Sequence, residues 1–164
     1  MRGRWPRCLA VVAVCLLGAF TVQPPALAQA PAQRDKLDPV AVRQITLQAA
    51  QLISDVGIDA ARERFHAPGP FRFGEIYVNV IDLNGAWVVY PPAPKNEGKS
   101  VLNVTDAEGK LLVKDIIRVA MDQDEGWVEY RWLNPASNRI EPKLTFVKRV
   151  SGKDLIAYVG LYRP

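Results

Sequence analysis

Beyond its first 28 residues the chain has no cysteine, since Cys8 and Cys15 are the only two. The remainder therefore has no disulfide, thiolate metal site or cysteine nucleophile, and must hold together by its core. Histidine is almost as scarce: His66 stands alone, next to Pro68 and Pro70. A lone imidazole does not make an ordinary zinc site. The Cys-x-x-Cys-His run of a haem attachment is missing, and no Gly-x-Ser-x-Gly elbow offers His66 a serine. His66 is read as a surface or helix-end residue, and no catalytic group, metal or cofactor is expected. The acids Asp122, Asp124 and Glu125 lack the glycine and terminal glutamate of an EF-hand loop and are read as a solvated turn. Long apolar runs are lacking too. The one candidate, Cys8 to Phe20, is about 13 residues against the ~20 that span a bilayer.

That short run has another reading. Arg2, Arg4 and Arg7 precede it, and Ala26-Leu27-Ala28 follows with small residues at the −3 and −1 positions of a cleavage site. Residues 1–28 are expected to be a cleavable signal peptide, cut after Ala28, because the alternative triplet Ala28-Gln29-Ala30 would place Pro31 at the cut. The protein is then periplasmic or secreted. Removal of the signal takes three arginines and no acid, so the formal charge of +4 shrinks to about +1 and nucleic-acid binding loses its support. No second hydrophobic span follows, so any message is expected to pass through a partner.

Residues 29–37 read as a flexible leader, and residues 38–164 as one domain. Asp38-Pro39 opens a helix as N-cap and first helical residue, and Ile45, Ala49, Leu52, Ile53 and Val56 form its apolar stripe. Gly57 ends or bends it, a second piece covers 58–66, and Pro68-Gly69-Pro70 stops that. Residues 75–81 then read as one strand, Asp82 to Gly85 as a hairpin turn and 86–90 as the returning strand. A proline-rich connection leads to a three-turn helix around Leu111 to Ala120. Strands at 127–132, 143–148 and 155–162 complete the chain as a meander. Helices followed by such strands give an α+β fold with an antiparallel sheet.

Tyr130 and Trp132 alternate with Glu129 and Arg131, so the two aromatics share one strand face. Lys143 lies across the turn within reach of that face, and Tyr77 and Tyr90 belong to the first hairpin. Tyrosine hydroxyls, an indole N–H and one ammonium on a concave face would suit a small carboxylate. The same residues also fit a plain core, with Lys143 exposed at a strand end.

The order and spacing of several segments resemble the single Cache domain family of extracytoplasmic sensor modules. They are Gly69-Pro70-Phe71, Tyr77-Val78 running to Asp82-Leu83-Asn84-Gly85, Gly98-Lys99-Ser100, and Asp106 to Gly109. Gly126 to Trp132, Asn134-Pro135, Glu141-Pro142-Lys143 and Phe146 to Val150 follow. The resemblance implies a PAS-like antiparallel sheet with a long N-terminal helix and a short helix in the connection. It also implies a pocket for acids such as acetate, propionate or pyruvate, with Tyr130, Trp132 and Lys143 as the first binding positions and no chemistry performed. Tyr90 precedes Pro91 where the family often has histidine, so the ligand's identity stays open. The expectation is a free-standing binding module that signals through a membrane sensor kinase, chemoreceptor or transporter. An alternative is a structural or adaptor envelope protein whose pocket is degenerate.

Overall fold

The computed structural model describes residues 38–134 and 136–163. The expected signal segment, 1–28, and leader, 29–37, lie outside the described residues.

Helix α1 (Pro39–Val56) begins where expected: the Asp38 carboxylate accepts the Ala41 N–H at 2.8 Å. This satisfies one of the donors that a helix start leaves bare. Gly57, at φ 81°, turns the chain into α2 (Ile58–His66), a conformation that costs a glycine little. The expected single strand over 75–81 is corrected: it is broken at Val78. Two short strands, β1 (Arg72–Phe73) and β2 (Ile76–Tyr77), pair with each other, and the Val78 N–H donates to the Phe71 carbonyl. Strand β3 (Asn79–Asp82) then turns through Gly85 into β4 (Trp87–Val89). After the connection come α3 (Leu112–Gln123), β5 (Glu125–Asn134), β6 (Arg139–Arg149) and β7 (Leu155–Tyr162). The last helix and the strands β5 and β6 run several residues longer than the sequence pattern indicates. The long β5–β6 ladder extends as far as Asn134 opposite Arg139.

The five-stranded sheet has the order β4-β3-β7-β6-β5, all antiparallel. The final strand thus lies in the middle, between the first hairpin and the β5–β6 pair. Its side chains alternate between two cores. Ala157 and Val159 face α1 and α2, where they meet Ile53 and Phe65. Ile156 and Tyr158 face the other way, toward Val113 and Ile116 of α3. Burial on both faces explains why β7 reads as a nearly continuous apolar run. Each fully buried aliphatic side chain here contributes roughly 1.5–3 kcal/mol.

Strand β5 is one edge of the sheet, and the connection from β4 closes part of it. The Asp106 carboxylate accepts the N–H groups of Glu108 and Lys110, both at 2.9 Å, and that of Arg131 in β5 at 3.0 Å. The Ala107 N–H donates to the Arg131 carbonyl. Such an edge otherwise presents bare donors and acceptors. Burial pushes the Asp106 carboxyl upward, but the three N–H donors and the Lys110 charge outweigh it and hold it below its ordinary value. The acids after α3 are not simply a solvated turn. Glu125 opens β5 and pairs with Arg43 of α1 at 2.6 Å, while Lys148 of β6 pairs with both Asp124 and Glu125.

Replacing Asp106 with Asn should cost about 2 kcal/mol in denaturant unfolding at neutral pH, since buried donors lose their charged acceptor. Because the folded-state carboxyl lies below its unfolded value, the wild-type contribution is present above about pH 4 and lost as acid protonates it. The difference between the two proteins should therefore shrink at pH 3. An unchanged difference there would contradict this role.

Candidate functional site

On the α3 face the sheet is not filled. Alternate residues of three strands point there: Val128, Tyr130 and Trp132 from β5, Lys143, Thr145 and Val147 from β6, and Ile156 and Tyr158 from β7. Of these, Tyr130, Trp132, Lys143 and Tyr158 line a cavity of ≈ 30 Å³ together with Asn79 of β3, Trp87 of β4, Tyr77 and Tyr90. The connection supplies Val101 and Val104, and α3 supplies Leu112 and Val113 as its apolar wall. All five residues singled out in the sequence, Tyr77, Tyr90, Tyr130, Trp132 and Lys143, line this one cavity.

Lys143 is 3% exposed, so it does not stand at an exposed strand end. Its stem crosses β7 above Gly160, which sits beside Thr145 in the β6–β7 register. A methyl group on Gly160 would lie 2.6 Å from the Lys143 Cε and 2.5 Å from the Thr145 Oγ1. Glycine is thus required by close approach rather than by backbone angle. The Lys143 Nζ donates to the Tyr77 hydroxyl at 3.0 Å and reaches that of Tyr162 at 3.5 Å, with both rings within 5 Å of it. Among the described residues no ion pair joins it to a carboxylate. Burial pushes its pKa down to about 8, and the more distant charge of Glu75 opposes the fall. Loss of water is the dominant effect, as for any buried ammonium.

The hydroxyls around it are neutral. Burial raises Tyr77, Tyr90 and Tyr158, and pushes Tyr130 up to about 12. The Trp87 indole N–H donates to the Tyr158 hydroxyl at 3.2 Å, so the Tyr158 proton has no described acceptor. The Tyr77 oxygen accepts from Lys143, which leaves its proton free in the same way. Thr145 donates to Tyr130 at 3.0 Å. Trp87 stacks on Tyr90 with centroids 4.0 Å apart, and Trp132 packs edge-on to Tyr130. The result is an aromatic-walled cavity with one ammonium and several O–H groups in surplus.

His66, at the end of α2, is outside the cavity. Its Nε2 lies 2.8 Å from the Glu97 Oε1, which also accepts the Tyr90 N–H at 2.7 Å. The sequence pattern missed three polar cavity residues. Asn79, a poor strand former between apolar residues, was a signal. So was Tyr158, once the last strand is known to have two buried faces. Trp87 became visible only when β4 met the connection.

A curved antiparallel sheet with a long helix on one face and a small polar cavity on the other is the α+β, PAS-like architecture of sensor domains. More narrowly, the chain belongs to the single Cache domain family, as the family model described as Single Cache domain 2 matches residues 39–163. Over 86 residues the chain is 28% identical to a sensor histidine kinase, MctS, of Rhizobium johnstonii. That match covers 52% of this chain and 18% of the kinase, so the chain spans only a small part of that relative's length. The solved periplasmic sensor domain of a chemotaxis protein superposes with a TM-score of 0.61 at 26% identity, over 76% of this chain and 90% of that one. A Cache chemosensory domain solved for carboxylic acid recognition shares the fold, with a TM-score of 0.61 at 19% identity, over 76% and 89% of the two chains. Among the described residues no helix is long and apolar enough to cross a membrane.

Burial of the Lys143 ammonium carries a stability cost that can be measured. A folded-state Lys143 pKa near 8, below the ordinary 10.5, means that the protein without ligand should gain stability as pH rises between those values. Lys143→Met should remove that rise and stabilise the empty protein at pH 7 by up to about 3 kcal/mol. A destabilised Met variant with the rise intact would contradict the placement of Lys143. Gly160→Ala should instead destabilise, because it drives a methyl group into Lys143 and Thr145.

Proposed function

We propose that this chain is an exported sensor domain that binds a small organic carboxylate and performs no chemistry on it. The observation that carries the reading is the Lys143 ammonium, buried with no paired carboxylate among the described residues, in a cavity with spare hydroxyl donors. A charge so placed is costly unless an anion completes it. A carboxylate oxygen would take the free Lys143 proton and the Tyr77 O–H, while Tyr90, Tyr130 and Trp132 enclose its short carbon chain. The cavity is small, which favours the shortest acids. An adaptor whose sheet is packed solid by its own aromatics would have no use for the buried ammonium.

Membership of a sensor family and likeness to a sensor kinase and to a chemotaxis domain support a role in signal transduction. In this reading residues 1–28 direct export and are cut after Ala28, residues 29–37 are a leader, and residues 38–164 bind the ligand outside the cytoplasm. The bound state is passed to a membrane partner of the sensor kinase, chemoreceptor or transporter class.

Calorimetry with acetate, propionate and pyruvate tests the binding. At least one should bind at pH 7, weaken as pH rises above about 8 where Lys143 loses its proton, and fail to bind Lys143→Met. A folded protein indifferent to all three, or a Lys143→Met variant that binds as well as wild type, would overturn the reading. For export, N-terminal sequencing of the periplasmic protein should begin at Gln29. A species still carrying residues 1–28 in the membrane fraction would contradict it.

A further inference from the structure

We infer that Asn79 makes the site select a 2-hydroxy acid over the plain or 2-oxo acid of the same length. This deepens, and rests on, the carboxylate reading above. Asn79 is 4% exposed, lines the cavity, and its Oδ1 has no hydrogen-bond partner among the described residues. An amide oxygen buried without a donor is a cost that folding alone does not offset. Asparagine is also a poor strand former, and it opens a strand whose next residues, Val80 and Ile81, are the ordinary ones. Lys143 and the tyrosine hydroxyls answer a carboxylate, but none of them explains an acceptor.

The register supplies the second half of the argument. Asn79 stands directly opposite Tyr158 on the neighbouring strand, and both side chains line the cavity. Cross-strand partners of this kind are close enough to contact one small group. Tyr158 has a proton to donate, because its oxygen is taken by the Trp87 indole N–H. An acceptor and a donor lining one cavity match a hydroxyl, which both gives and takes a hydrogen bond. Gly160, over which the Lys143 stem passes, is two residues along β7 from Tyr158. The ammonium and the Asn79–Tyr158 pair are thus set for two adjacent functional groups of one short molecule. A plain acid would leave the Asn79 oxygen unpaired, and a 2-oxo acid would set a carbonyl oxygen against it. Sites built around a hydroxyl reject analogues that lack one far more strongly than apolar pockets reject an extra group.

The test is calorimetry on the full domain with propionate, pyruvate and each enantiomer of lactate, three acids of equal carbon number. One lactate enantiomer should bind roughly tenfold or more tighter than either competitor. In Asn79→Ala, which adds no bulk to the cavity, that preference should vanish, read as the lactate-to-propionate affinity ratio. Asn79→Val serves should the alanine variant not fold, and the wild-type ranking stands without either. Equal affinities, as when a bound water satisfies the amide, would overturn the inference and leave the carboxylate reading intact. So would tighter binding of pyruvate, which would mean that the amide presents its N–H, or a lactate preference that survives in the variants. Binding of none of the acids would overturn both.

Discussion

The Lys143 ammonium lies inside the protein with tyrosine oxygens and ring faces for company, and among the described residues no carboxylate pairs with it. Much of the local structure is arranged around that choice. Gly160 has no side chain because the lysine stem lies across it, and Thr145 shares the same cleared space. Tyr77 is brought to the ammonium by the short β1–β2 pair, which interrupts what would otherwise be one continuous first strand. The net effect is a region of positive charge in surroundings that disfavour it.

Support for the cavity comes from both sides of the sheet. Because β7 is central and buried on both faces, the α1 core and the cavity share one strand, with Ala157 and Val159 on one side and Tyr158 on the other. Tyr158 thus belongs to the same strand against which α1 packs. A second link joins α2 to the cavity rim. Glu97 takes the Tyr90 N–H with one oxygen and faces His66 and Arg62 of the helix. Asp106 fastens the apolar wall to the edge strand in a similar way. These contacts join the cavity rim to the helices and to the edge strand.

Much of this was legible in the residues alone. The N-cap at Asp38, the break at Gly57, the hairpin glycine and the β5–β6–β7 meander follow from local rules of capping, turn chemistry and alternation. Lys143 and the aromatics were also marked, since alternation alone puts Tyr130 and Trp132 on one face opposite it. What local rules left open was whether Lys143 is buried, because a lysine in a strand reads equally well as a solvated end. Its burial depends on Gly160 and Tyr77, which are remote in sequence. The same limit hid Asn79 and Tyr158. Their pairing is set by β7 entering between β3 and β6, a long-range event to which no short window of sequence refers. Asp106 shows the reverse case: an acid in an evident turn whose role depends on a backbone N–H 25 residues away.

The central claim is that an anion completes the buried ammonium, and the most direct measurement is of that nitrogen itself. Heteronuclear NMR titration of the Lys143 Nζ, without and with a saturating small carboxylate, reads its protonation in both states. On this account the pKa is about 8 in the empty protein and moves upward, toward or beyond the ordinary 10.5, when the acid is bound. A Lys143 titration unchanged by a bound acid would contradict it.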